Sequence, residues 1–338
     1  MRIAFILNPT AMCSGDSNGV KNQARTWKSC LEGEGHNVDE ISVWDNYQWE
    51  KYDIIHIFGF GLWLPNLVQS LYKFNKNIVI SPIIDSNRSY VSYKLASNFG
   101  SSVFRLYSPN YALKESLKHI KAVFVRSVYE SKFISLSLNF DSNNIFKVPV
   151  GITLPSPEKK YKKKKFCFHV SSIYQKRKNV VRLINAAQKY HFDLVLAGAK
   201  GSEEQFKKIK DAINGSKYIN VLGFIDKEEL LSLYMKARVF ALPSLYEGVG
   251  IVALDAAAYG CDIVITERGG PKEYYNNMAK TINPESVDEI GQSILEFLNG
   301  ETFQPDLQKH VIENYSQEAI TNQIINSYQK IMYSNTNL

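Results

Sequence analysis

The chain has no apolar run long enough to cross a bilayer in its 338 residues. At its start, MRIAFILNPT, five apolar residues lie between Arg2 and Asn8-Pro9. That is too few for the core of a signal peptide, so the segment reads as a first strand. Cysteine is also scarce. Cys13, Cys30, Cys167 and Cys261 are scattered, with neither metal-ligand spacing nor a disulfide framework, and a reducing cytoplasm is the expected compartment. Internal repeats are absent. The one low-complexity tract is a lysine run with no nucleic-acid recognition motif beside it, which argues against a nucleic-acid partner.

The composition that remains is that of a globular protein. Hydrophobic residues make up 45% and aromatics 12%, enough to exclude extensive disorder. The length exceeds what one core usually serves, so two domains are expected. Net charge is +7, from 40 basic and 33 acidic residues. Part of the excess is local, in Lys159, Lys160, Lys162, Lys163, Lys164 and Lys165 around Tyr161. Such a run reads first as a solvated linker and second as a contact for anionic lipid or a phosphorylated acceptor.

Short apolar runs alternate with helical patterns along the whole chain. Strands are predicted at Ile3 to Leu7, Asn37 to Ser42, Ile54 to Phe58, Ile78 to Ile80, Ala122 to Val125 and Ile145 to Val148. Helices are predicted at Gly19 to Leu31, Leu62 to Phe74, Tyr111 to His119 and Tyr129 to Leu138. Pro149 to Pro157 carries three prolines and precedes the lysines, which places a domain boundary there. A second set follows, with strands at Phe166 to Val170, Leu194 to Ala197, Ile219 to Leu222, Val239 to Leu242 and Ile263 to Ile265. Its helices are Val180 to Lys189, Glu203 to Ile213, Lys227 to Lys236 and Val287 to Leu298. A last helix is expected from about Gln317 to Met332. The pattern is α/β, two doubly wound Rossmann-like domains spanning residues 1–155 and 156–313, with 314–338 as a C-terminal helical segment.

Chemistry concentrates in residues 239 to 273. A buried strand closes at Pro243-Ser244, Glu247-Gly248-Val249-Gly250 begins a helix through Tyr259 with Gly260 as its stop, and a second strand leads to Gly269-Gly270-Pro271 and another helix start. Ligands bind at the carboxyl ends of such strands, where glycines let the backbone come close and helix amides face anions. Glu247 and Asp255 flank the place. With a helix between them, roughly 12 Å of axial rise would set them at opposite ends of an elongated ligand. A sugar joined through a diphosphate to a ribose has that shape, since carboxylates accept from hydroxyls while amides and cations suit phosphates.

Glu247-Gly248-x-Gly250, an acid eight residues after Glu247, and Gly269-Gly270-x-x-Glu273 together resemble the carboxylate-pair signature of retaining GT-B glycosyltransferases, glycosyltransferase family 4 in particular. The family usually carries Glu where this chain has Asp255. Further likeness lies in Gly19-Val20, in Gly35-His36-x-Val38, in Val148-Pro149-Val150-Gly151-Ile152 and in Leu222-Gly223-Phe224-Ile225. The resemblance implies a GT-B fold, two domains facing a central cleft, with the last helix crossing back to the first. It also implies a nucleotide-diphosphate sugar as donor and retention of anomeric configuration. The acceptor it implies is a glycan or lipid-linked glycan in cell-surface polysaccharide biosynthesis.

The same resemblance distributes roles. Glu247 stands nearest the transferred sugar, beside Gly248 and the amides of Val249, Gly250 and Ile251, and Asp255 holds the ribose. Lys178 matches the family's diphosphate-binding Lys, whereas the companion Arg position falls on Ser172, so Arg177 or Lys176 is expected to supply its charge. The base rests between Gly198 and Phe224-Ile225, and Gly19 belongs to the first loop. No Asp-x-Asp occurs, and fixed cations with helix amides are expected to replace a metal, leaving no cofactor. On the acceptor side His56 and Asp85 are the candidates; for His56 a place in the core or in a loop is the equal alternative. Arg88, Arg105 and Lys114 to Lys121 among Tyr90, Tyr93, Phe99, Phe104 and Tyr107 read first as amphipathic packing against the sheet and second as a basic aromatic surface for peripheral contact with an anionic membrane at its inner face or with a lipid-linked acceptor. Rival readings are a non-catalytic nucleotide-sugar-binding partner of an active transferase and a sugar-nucleotide epimerase.

Overall fold

The computed structural model describes residues 1–11, 19–84, 86, 88–101, 106–153 and 162–333. They fall into two units, one from Met1 to Val150 rejoined by the helix that starts at Gln317, the other from Gly151 to Ser316.

In unit 1 the strands are β1 (Arg2–Leu7), β2 (Asn37–Glu40), β3 (Ile54–Phe58), β4 (Ile78–Ser81), β5 (Gly100–Ser101), β6 (Leu106–Tyr107), β7 (Ala122–Val125) and β8 (Ile145–Lys147). Six pair in parallel in the order β2-β1-β3-β4-β7-β8, while β5 and β6 form a separate antiparallel pair. β3 is buried at all five positions, the continuous apolar pattern of a strand covered on both faces. Helices α1 (Gly19–Gly33), α2 (Leu64–Leu71), α3 (Tyr90–Asn98), α4 (Pro109–Ser116) and α5 (Val128–Lys132) belong to this unit. Ser89, Ser108 and Ser127 cap the last three by accepting from a backbone amide one turn on. α5 continues into a π-helical turn, Phe133–Ser137. Two differences from the sequence pattern stand out: α3 was not expected, and the helix expected at Tyr129 to Leu138 changes its winding at Phe133.

Unit 2 holds β9 (Lys164–Val170), β10 (Leu194–Ala197), β11 (Ile219–Gly223), β12 (Ala237–Leu242), β13 (Asp262–Thr266) and β14 (Lys280–Ile282). They run parallel in the order β11-β10-β9-β12-β13-β14. Its helices are α6 (Val180–Tyr190), α7 (Glu203–Ile213), α8 (Lys227–Lys236), α9 (Ile251–Ala258), α10 (Pro271–Tyr274), α11 (Val287–Asn299) and α12 (Leu307–Tyr315). α6 and α11 bury Leu183, Ile184, Ile290 and Ile294 in one apolar cluster with Cys167, Val239 and Val264. α13 (Gln317–Tyr333) returns to unit 1 and buries Ile324, Tyr328 and Ile331 there.

The lysine run is not wholly linker. Strand β9 already begins at Lys164, and Lys163 is half-buried, its ammonium donating to the carbonyls of Tyr234 at 2.8 Å and Tyr259 at 2.6 Å. Those carbonyls lie at the C-terminal ends of α8 and α9, which leave carbonyls without helical partners. Lys159, Lys160 and Tyr161 lie outside the described residues. Among the described residues no helix is long and apolar enough to cross a membrane.

Candidate functional site

In unit 2 the chain starts at β9, builds outward to β11, then returns to the other side of β9 with β12. The gap between the carboxyl ends of β9 and β12 is therefore the switch point of the sheet, where neighbouring loops diverge and leave a crevice. The loop after β9 carries Ser171 to Asn179, and the loop after β12 carries Pro243 to Gly250.

Backbone and amide bonds draw these two loops together. Asn179 adopts a left-handed conformation, φ 60°, and its side-chain amide donates to the carbonyls of Pro243 (2.9 Å) and Pro284 (2.6 Å). The Leu245 amide donates to the Arg177 carbonyl at 2.8 Å. Glu247 is fixed from its other side by a parallel bridge to Gly269: its N–H donates to the Arg268 carbonyl at 3.1 Å and its carbonyl accepts from the Gly270 N–H at 3.1 Å. Gly269 sits at φ +103°, and a Cβ there would lie 1.9 Å from the Glu247 carbonyl oxygen, so this position accepts only glycine.

That scaffold brings three predicted residues into contact. Oε1 of Glu247 accepts from the Lys178 ammonium and from the Ser244 hydroxyl, both at 2.6 Å, and Oε2 accepts from Nη1 of Arg177 at 3.2 Å. The carboxylate is buried, and two cations with one hydroxyl satisfy it. Lys178 is the more enclosed cation, its side chain 14% exposed against 30% for Arg177. Arg177 also donates to the Tyr246 carbonyl at 3.1 Å and lies over the Tyr246 ring. Lys176 is exposed and Ser172 half-buried, its carbonyl accepting from the Gln175 amide.

Two contributors went unrecognised in the sequence. Ser244 was visible as part of a motif, but its bond to Glu247 was not. His169 ends the buried part of β9 with Nδ1 at 2.7 Å from the Ala241 carbonyl, which only accepts, so Nδ1 carries the proton. Nε2 is then the acceptor for the Ser171 hydroxyl at 2.7 Å. Burial pushes its pKa down to about 4, and the imidazole is neutral at pH 7.

The second half of the motif differs from expectation. α9 starts only at Ile251, so Glu247 to Gly250 is a non-helical approach and four helical residues, not eight, lead to Asp255. Gly250, φ +80°, ends the approach without a side-chain cap, wedged against Leu242 and Ile265. Gly248 is half-buried and Val249 buried beside it. Asp255 is buried and accepts from the backbone amide of Thr153 at 2.7 Å and from its hydroxyl. Gly198, φ +114°, closes the end of β10 against the Ser171 carbonyl and donates to the Gly223 carbonyl at 2.6 Å. Beyond Gly223, Phe224 is exposed and Ile225 half-buried.

Of the unit 1 candidates, Gly19 and His56 lie among the described residues. Gly19 is the exposed first residue of α1, and Asp85 lies outside the described residues. His56 is a core residue, which corrects its acceptor-side assignment. Its ring stacks on Phe58, and its nitrogens lie 2.6 Å from the Tyr328 hydroxyl and 2.8 Å from the Ser81 hydroxyl. With both faces of β3 covered, burial lowers its pKa to about 3.

Comparison with known proteins bears on both units. Residues 153–318 match the family model described as glycosyl transferases group 1. O-antigen chain mannosyltransferase B of Escherichia coli is 28% identical over 163 residues, 45% of this chain and 43% of that protein. The chain spans less than half the length of the curated relatives it matches. Two solved structures are similar along essentially the whole chain. One is a glycosyltransferase from Rickettsia africae (TM-score 0.69, 16% identity, covering 100% of this chain and 99% of that one). The other is a sucrose-phosphate synthase from Thermosynechococcus elongatus (TM-score 0.73, 17% identity, covering 99% and 100%). At these identities the likeness concerns the fold, and it is GT-B: two Rossmann-like α/β units.

Proposed function

We propose that the chain is a retaining glycosyltransferase of the family 4 type. It moves a sugar from a nucleotide-diphosphate donor to a hydroxyl of a glycan or lipid-linked glycan, in the cytoplasm or at the inner face of its membrane, in cell-surface polysaccharide assembly. The observation that carries the reading is the buried Glu247 carboxylate held by Lys178, Arg177 and Ser244 at the switch point of unit 2. The family match over residues 153–318 supports it.

In this reading the donor lies across the ends of β9 and β12. Lys178 spends one of its three N–H donors on Glu247 and has donors left for a diphosphate oxygen, with Arg177 as the second, more open cation. Together with the amides at the start of α9 they stabilise the departing diphosphate, the charge compensation that other transferases assign to a metal. Glu247, fixed by its cations, accepts from a hydroxyl of the sugar. As the bond from the anomeric carbon to the phosphate oxygen breaks, the acceptor oxygen attacks from the same face. The departing phosphate oxygen takes its proton. Asp255 is reserved for the ribose, and a donor hydroxyl there shares the carboxylate with Thr153 or displaces it.

A thermal-shift screen of the purified chain against nucleotide-diphosphate sugars and free nucleoside diphosphates, without added metal, tests the reading. A base-selective rise in Tm is expected, since a ligand that binds only the native state stabilises it. No shift across the panel at high concentration would remove the donor site. The occupied state of Asp255 also favours a second reading, a non-catalytic partner that binds donor without turnover. Product formation from donor and a glycan acceptor separates the two.

A further inference from the structure

Helix α3 is built inside out. Tyr93 and Ser97, one turn apart, face the core, where the Ser97 hydroxyl donates to the Tyr93 carbonyl at 2.8 Å and the Tyr93 ring meets Phe133 edge to face at 5.0 Å. Outward, Val91 and Leu95 on the helix and Phe99, the residue that caps its C-terminal end, recur at steps of four and are 70%, 58% and 75% exposed. Residues so spaced lie on one stripe, roughly 12 Å long from end to end. A surface helix ordinarily turns its apolar stripe to the core and its polar one to water. A row of three large apolar side chains held outward marks a contact surface.

The charges around that stripe identify what it meets. Arg88 and Lys94 are exposed beside it, and the Lys114 ammonium reaches its far end by donating to the Asn98 side chain. The carboxylate on neighbouring α4, Glu115, is taken up by Lys118 at 2.7 Å. Glu130 is buried against Arg126. Leu136, on the helical turn packed beside α3, adds a further exposed apolar side chain.

We infer that this face of unit 1 docks on an anionic lipid bilayer, with Val91, Leu95 and Phe99 entering the boundary between headgroups and acyl chains and Arg88, Lys94 and Lys114 meeting headgroup phosphates. A second copy of the chain would set cations against cations. An anionic bilayer offers negative charge and an apolar layer in one surface, the combination that amphipathic helices read. The preference for a bilayer over an acidic protein rests partly on the lipid-linked acceptor of the proposed function. The docking face takes over from the surface expected on sequence: Tyr93 has gone to the core, Val91 and Leu95 have joined Phe99, and Phe104 and Arg105 lie outside the described residues.

Sedimentation of the purified full chain with sucrose-loaded vesicles tests this, using phosphatidylcholine alone and phosphatidylcholine mixed with phosphatidylglycerol. Binding to the mixed vesicles, weakened by salt, is expected, with a roughly tenfold or greater loss in the double variant Leu95→Glu, Phe99→Glu and a smaller loss in Lys94→Glu. These side chains face water, so the variants keep the wild-type Tm and the thermal shift with nucleoside diphosphate. Wild-type indifference to the mixed vesicles overturns the inference. So does equal binding to both compositions, undiminished binding by the double variant, or capture of an acidic protein in place of lipid. Reading the nucleotide shift on the same samples separates the two claims. Lost vesicle binding with the shift intact concerns this face alone, and an absent shift with vesicle binding intact concerns the proposed chemistry alone.

Discussion

Each unit places a histidine inside its parallel sheet, and the two histidines have different company. His56, on β3 of unit 1, is enclosed by Phe5, Trp27, Phe58 and Phe124 and closed off by Tyr328 from α13. His169, on β9 of unit 2, ties the Ala241 carbonyl to Ser171, from which the loop bearing Arg177 and Lys178 departs. Both rings are buried and both are held neutral by burial. A buried, perturbed histidine is therefore no sign of chemistry by itself. What differs is the layer above it: aromatic packing sealed by a helix in one unit, and in the other two polar loops joined around a carboxylate.

The sharpest test of that contrast removes the carboxylate. Glu247→Ala is expected to lower transfer by about a thousandfold or more, as loss of a preorganised electrostatic group does, while His56→Gln leaves the rate per folded molecule near wild type. Steady-state rates on both variants decide it, and equal losses would erase the distinction between the units. The Glu247 variant will also lose stability, because two enclosed cations lose their counter-charge. Next in size, Gly269→Ala must displace either the Glu247 carbonyl or its own strand end, at a cost of about 3 kcal/mol or more in denaturant unfolding. Gly19→Ala, with open space around it and an ordinary helical setting, should cost nothing measurable by the same assay.

Acid should reveal the likeness between the histidines. Each has a folded pKa below the unfolded value near 6.5, so the unfolded state binds the proton first. Stability present at pH 7 is then lost as pH falls below about 6.5, by about 2 kcal/mol per ring at pH 5, until the folded values of about 3 and about 4 are reached. His56→Phe should flatten that slope in urea titrations at pH 7.5 and 5. An unchanged slope would mean that His56 is not held neutral. The smallest effect separates the cations: Lys178→Ala should weaken donor binding about tenfold and Arg177→Ala by less, since Arg177 is the more exposed. Isothermal titration of donor into both variants reads the order, and a reversed order would make Arg177 the principal diphosphate contact.

Much of this was legible along the chain. Ile54–Phe58, Ala122–Val125 and Leu194–Ala197 are strands at the limits that their apolar runs set. Glu247 and Lys178 were legible as partners of one ligand, though their direct bond was not, since it joins residues 69 apart in the chain. β14, with three residues, is too short to leave a period, whereas the start of α10, only four residues long, was marked by Gly269-Gly270-Pro271. α3 was hidden for a different reason. Its apolar residues do recur at helical spacing, but the core chose Tyr93 and Ser97 instead, so pattern and burial point opposite ways. His56 was ambiguous because a strand buried at every position has no alternation to say which side chains meet water.

Lys163 has a consequence for following this protein in solution. It is flanked by exposed Lys162, Lys164 and Lys165, while its own amine is enclosed by two helix-end carbonyls and its pKa is lowered by burial. An amine-acylating reagent should therefore mark its neighbours and spare Lys163 for as long as the ends of α8 and α9 stay closed over it. Once they part, the same desolvated amine becomes as reachable as the others. Mass-spectrometric labelling of this one residue then serves as a built-in clock for the opening of unit 2, with neighbouring lysines as the internal standard.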